Sequence, residues 1–156
     1  METPAKVPAP AQDLFQRKYR QPAPDFPHHV IAWHRAADGA RRALCYIHFT
    51  DVGEILLGGG ACSDDRAMRL LSTEERACVR AAGGLYHYAL AWSVQHFAAR
   101  FAAIFGYCGD RLAARVDLAV GFKWTEHEHL LVYFTQPIDA AKRGALIAKA
   151  HSYGAF

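Results

Sequence analysis

Arg80, Gly83 and Gly84 stand directly before an apolar helical pattern that begins at Leu85, and this spacing is the one in the chain best suited to holding an anion. A helix N-terminus leaves backbone N–H groups unpaired, and the aligned peptide dipoles favour negative charge there. Glycine lets a phosphate come close to that backbone. Two readings stand: an anion cradle with Arg80 as a ligand, or a plain turn before a core helix with Arg80 in solvent. His127 and His129 fall on one face of a strand pattern, an arrangement that metals use. No third ligand stands at a matching spacing, so no metal is expected. Cys108 lies between Gly106 and Gly109, where a nucleophile would be accessible. No His or Asn partner can be assigned to it, and a packed thiol is expected.

The elements that must position these residues belong to a chain of 156 residues, a length that suits one domain able to bury its own core. Its formal net charge is +3, with basic residues scattered among acids. That scatter, and the lack of an aromatic platform near Arg41 and Arg42, lead to the expectation of no nucleic-acid partner. Cys45, Cys62, Cys78 and Cys108 are widely spaced with no C-x-x-C pair. Reduced thiols in a cytoplasmic protein are expected. No apolar run approaches the roughly 18 residues that span a bilayer, so no membrane association is expected either.

Residues 1–27 hold six of the seven prolines. They read as a lead-in that drapes over the domain or stays mobile, with one or two helical turns over 13–20. Residues 28–156 read as a single domain. Strands are expected at 30–34, at 43–50 and at 54–57, the last running into Gly58-Gly59-Gly60, where a bulge or a close backbone approach is implied. In the second strand Leu44, Tyr46, His48 and Thr50 share one face. Ser72 followed by Glu75 is a capping-box pair, so a helix should start there and break at Gly83-Gly84. An aromatic-rich helix over 85–101 follows, with Tyr86 widening its apolar arc, then a strand at 104–107. The next helix, at 110–120, has Leu112, Val116 and Val120 as its expected core stripe. Residues 122–134 read as one long strand, and 138–151 as a last helix. The fold class is α/β, an α+β mixed sheet: an antiparallel meander followed by helix, strand, helix and strand.

With these residues, the order resembles the GCN5-related N-acetyltransferase (GNAT) family over roughly residues 44–132. In that family a Q/R-x-x-G-x-G/A loop cradles the pyrophosphate of acyl-coenzyme A. Arg80-x-x-Gly83-x-Leu85 matches its first two fixed positions and departs at the third. The segment 88–92 looks like the family's coenzyme-binding helix. The family's N-x-x-A-x-x-x-Y-x-x-x-G-F is met here by Asp110, Ala113, Asp117, Gly121 and Phe122, so Asn and Tyr are replaced. Roughly twenty residues also separate Gly60 from Arg80, where the family's loop follows its strand at once.

The resemblance implies acetyl-coenzyme A or another acyl-coenzyme A as co-substrate, held by Arg80, Gly83, Gly84, Leu85 and Asp110. It implies transfer of an acyl group to an amine on a small molecule or peptide. Such a reaction needs a base, for which Glu54 and His127 are the candidates, and an acid for the leaving thiolate, for which Tyr107, Cys108 and Asp117 are candidates. The alternative is a GNAT-fold binding or interaction module without transfer. A homodimer through the final strand and helix is open.

Overall fold

The computed structural model describes residues 1–156. Short apolar runs build one mixed sheet of six strands: β1 (His28–Arg35), β2 (Arg41–Asp51), β3 (Ile55–Ser63), β4 (Ala103–Tyr107), β5 (Lys123–Trp124) and β6 (Leu130–Phe134). They lie in the order β1-β2-β3-β4-β6-β5, and β3–β4 is the parallel pair among antiparallel neighbours. Five α-helices accompany the sheet: α1 (Ala9–Tyr19), α2 (Thr73–Ala81), α3 (Leu85–Phe97), α4 (Arg111–Val120) and α5 (Ala140–His151).

Alternation decides which layer each side chain joins. Leu56, Ile104 and Leu131 point to the α3 side, where Leu90, Val94 and Phe97 cover them. Their neighbours Leu57, Phe105 and Val132 point to the opposite side, with Leu146 and Ala150 of α5. On that same side Ile31 and Tyr46 pack with Leu14 and Phe15 of α1. The central strands are therefore buried on both faces, which is why 55–57 and 103–105 are continuously apolar. No helix is long and apolar enough to cross a membrane.

The expected order of elements is present, and four details differ. First, the proline-rich start carries an eleven-residue helix docked on the sheet, longer than the one or two turns expected. Pro8 caps it and Pro10 sits in its first turn, where a missing N–H costs nothing. Second, Leu44 joins the α3-side core together with Cys45. The β1–β2 register shifts between Ala32 and Trp33, so β2 carries an extra residue there and alternation is interrupted. Third, 122–134 is a hairpin and not one strand. Thr125 folds the chain back: its N–H and hydroxyl both donate to the Leu130 carbonyl, at 3.0 and 3.1 Å. His129 completes the turn in the left-handed region at φ 65°. His127 and His129 therefore lie in a turn and do not share a strand face. Fourth, α4 buries Ala114 and Asp117 while Leu112 is 72% exposed, so its inward face is rotated from the expected stripe.

The capping box at α2 forms as the sequence implies. Ser72 Oγ accepts from the Glu75 N–H at 3.1 Å, and Glu75 Oε2 accepts from the Ser72 N–H at 2.7 Å. Such a cap contributes about 1 kcal/mol to its helix.

Candidate functional site

The parallel β3–β4 ladder runs for four pairs, from Ile55↔Ala103 to Gly58↔Gly106, and then stops. Beyond it β3 continues alongside β2 to Ser63, while β4 ends at Tyr107 and the chain leaves towards α4. The strands part, and a cleft of about 540 Å³ opens between them. Its floor is backbone, residues 58–63 on one side and 106–110 on the other, with Tyr86 and Tyr19 among its walls.

A bulge accompanies the parting. Phe49 pairs with Gly58 and Ile47 with Ala61, so Gly59 and Gly60 together face His48. His48 Nε2 accepts the Gly60 N–H at 2.8 Å, which places the proton of the neutral ring on Nδ1. The imidazole is stacked on Phe26, with ring centroids 3.9 Å apart. A Cβ at residue 59 would lie 2.1 Å from Nε2, so the bulge admits only glycine there. Burial first, and the neighbouring His29 second, hold the His48 pKa down to about 4. The ring is neutral at physiological pH and acts as a hydrogen-bond acceptor.

A second polar feature stands across the cleft. Tyr86, in the first turn of α3, donates its hydroxyl to Asp117 Oδ1 on α4 at 2.7 Å. Asp117 is only 4% exposed. Burial pushes its pKa up from the usual carboxylate range, while hydrogen bonds from Tyr86 and Cys108 pull the other way. Tyr86 is pushed upward too, by burial first and then by the Asp117 charge. The Cys108 thiol is likewise raised by burial, and its Sγ lies 3.2 Å from the Asp110 carbonyl. A buried carboxyl, a phenol and a thiol thus meet at one wall, each biased towards its protonated form.

Of the residues singled out from the sequence, Gly58, Gly59, Gly60, Tyr107, Cys108 and Asp110 line this cleft, and Asp117 stands behind Tyr86. Asp110 also caps α4, accepting from the Leu112 and Ala113 N–H groups at 2.7 and 3.2 Å, which holds its pKa low. Gly83 and Gly84 join α2 to α3 with φ of 81° and 103°. Their own N–H groups close α2, on the Arg80 and Val79 carbonyls. Gly84 caps α3 without a side-chain acceptor, so the first-turn N–H groups from Leu85 onward are not satisfied by a capping side chain. The Leu85 side chain is buried, and Arg80 is exposed on the last turn of α2.

The two candidate bases, Glu54 and His127, are not in this cleft. Glu54 precedes β3 at the end away from the opening and is exposed in an ion pair with Lys142 at 2.9 Å. His127 stands in the β5–β6 turn, stacked on His151 at a centroid distance of 3.7 Å. Neither residue is in a strand: Glu54 precedes β3, and His127 falls between β5 and β6. Sequence reasoning in turn missed His48 and Tyr86 as polar parts of the site. Pairing the Gly58-Gly59-Gly60 run against β2 would have pointed to His48. Tyr86 reads as core, and nothing local links it to Asp117, 31 residues away.

No protein-family model matches the chain, and no curated protein is similar to it. Among solved structures, one described as the crystal structure of a KacTA–DNA complex is similar, with 16% identity over 89% of this chain and 85% of that one and a TM-score of 0.46. That structure contains DNA, and the exclusion of nucleic acid as a partner is withdrawn. The scattered charge on which the exclusion rested is also gathered in space: Arg17, Arg41, Arg42, Arg66 and Arg69 border one cleft.

Proposed function

We propose that this protein is a GNAT-type acyltransferase that takes an acyl-coenzyme A in the β3–β4 cleft and passes the acyl group to an amine. The observation that carries the reading is the parting of the parallel pair after Gly58↔Gly106, beside a helix that opens on Gly83-Gly84 with no side-chain cap. The strand order, with its one parallel pair after a three-stranded antiparallel meander, supports the same reading.

The residues present fit such a co-substrate. In this reading the first-turn N–H groups of α3, of which only that of Tyr86 belongs to a residue of the cleft lining, and the exposed Arg80 guanidinium, which stands outside it, would hold the pyrophosphate. The bulged backbone at 58–60 offers peptide dipoles to a carbonyl or an amide arm, and His48 fixes that backbone in place. When bound, the thioester supplies an activated carbonyl for attack by an amine. Tyr86 carries a proton at Oη at the cleft wall, its hydroxyl held by Asp117 Oδ1, and is the acid candidate for the leaving thiolate. The pair would replace the tyrosine that the GNAT pattern has at residue 117.

A binding module without transfer is favoured by one observation: the Tyr86 hydroxyl already has a partner in Asp117. Release of free thiol from acetyl-coenzyme A in the presence of a panel of amines separates the two readings. The enzyme reading predicts amine-dependent release that Tyr86→Phe and Asp117→Asn each lower by roughly 10²–10⁴-fold, the usual worth of a positioned proton donor. Coenzyme binding with no acylated amine from any member of the panel would leave the module.

A further inference from the structure

We propose that the arginine-lined cleft formed by α1, the start of β2 and the segment after β3 is a binding site for adjacent phosphate groups. It is a concavity of about 490 Å³, within the range of small-ligand sites, and is separate from the cleft between β3 and β4. Five arginines and two aspartates line it, 5 − 2 = +3, before the Glu2 partner of Arg41 outside the lining is counted.

Two of the five guanidinium groups are already held in place. Arg17 is paired with Asp64 at 2.7 Å. Arg41 is paired with Glu2 at 2.6 Å and lies over the Trp33 ring at 4.3 Å. Asp64 is engaged on both oxygens, the other accepting the Arg66 and Ala67 N–H groups at 3.0 and 3.2 Å. It therefore ties the segment that bears Arg66 and Arg69 to α1. Arg42, Arg66 and Arg69 have exposed side chains with no ion pair and no hydrogen bond. Gathering three cations without ion pairs around a concavity opposes folding through repulsion, which Asp13 and Asp64 of the same lining offset only in part. A polyanion would. Guanidinium forks bind phosphate oxygens two at a time, and several forks around one cleft suit two or more neighbouring phosphates better than a single carboxylate. The shared chemistry is a run of phosphates, whether of a free oligophosphate or nucleotide or of a nucleic-acid backbone.

The experiment is calorimetric titration with inorganic tripolyphosphate at physiological salt. It compares wild type, the triple variant Arg42→Ser, Arg66→Ser, Arg69→Ser, and a control triple, Arg111→Ser, Arg115→Ser, Lys123→Ser, that removes the same charge from α4 and β5. Sub-millimolar binding that drops at least about tenfold in the first triple and less than about threefold in the control is expected, since charge-assisted contacts are local and exposed charges are screened. No binding to wild type, or equal weakening in both triples, would overturn the site. Thermal melting of the first triple at or above the wild-type temperature shows that the loss is not unfolding. A short single-stranded RNA identifies the source of the phosphates: much tighter binding with a steep salt dependence assigns a nucleic-acid backbone, and affinity like that of tripolyphosphate assigns a free oligophosphate. The inference is independent of acyl transfer.

Discussion

Gly59→Ala is expected to destabilise the fold by about 3 kcal/mol or more and to abolish binding in the β3–β4 cleft. The added Cβ would sit 2.1 Å from His48 Nε2 and 2.5 Å from Cδ2, far inside van der Waals contact. The ring has nowhere to go. Phe26 stacks on it at 3.9 Å, Phe15 lies 5.7 Å away, and its Nε2 is engaged by the Gly60 N–H. Overpacking a filled site costs roughly 1–3 kcal/mol, and displacing the ring also strands a buried N–H, worth about 1–3 kcal/mol more. Chemical denaturation of Gly59→Ala in the wild type and in a His48→Ala background measures the coupling. The account predicts that the glycine substitution costs much less once the imidazole is gone. An equal cost in both backgrounds would mean that the ring does not dictate glycine at this position.

The same imidazole makes the protein acid-labile. With its folded pKa held down to about 4 against an ordinary 6.5, the unfolded chain binds the proton first as the pH falls. Stability from the neutral ring is therefore fully present above pH 6.5 and is lost progressively as the pH drops towards 4. At roughly 1.4 kcal/mol for each pH unit, the gap corresponds to about 3 kcal/mol. His28 and His29 are also shifted downward, burial being the main cause for both, and they add in the same direction. Urea unfolding at pH 7.5 and pH 4.5 should show this loss in the wild type. His48→Gln, which keeps an acceptor near Gly60 but does not titrate, should flatten much of the slope. A pH dependence unchanged in that variant would remove His48 as the cause.

How far the sequence exposes this architecture depends on whether a signal is local. The Ser72–Glu75 capping box, the glycines joining α2 to α3 and the apolar runs of β3 and β4 all act over a few residues, and all are where the sequence places them. The β5–β6 hairpin was hidden because 125–129 (Thr-Glu-His-Glu-His) holds no glycine or proline to interrupt the strand pattern on either side. The turn is made instead by Thr125 hydrogen bonds and a left-handed His129. In α4 the apolar stripe lost to a polar contact. Burying Asp117 against Tyr86 turns the helix so that Leu112 faces outward at the mouth of the cleft. The prolines near the N-terminus read as helix breakers, yet at a cap and in a first turn they start α1. Among the residues that line the cleft, the Gly58-Gly59-Gly60 run was legible as a bulge or a close backbone approach. The partnership of His48 with the bulge and of Tyr86 with Asp117 depends on strand register and helix packing, which no short stretch encodes.

The central claim is that an acyl-coenzyme A occupies the β3–β4 cleft. Calorimetric titration with acetyl-coenzyme A, beside its desulfo analogue and longer acyl chains, tests it most directly. The account predicts saturable one-to-one binding in the micromolar range, weakened by Arg80→Ala by the roughly 1–3 kcal/mol of a lost charge-assisted contact. Absence of heat and of saturation with every one of these ligands would contradict it.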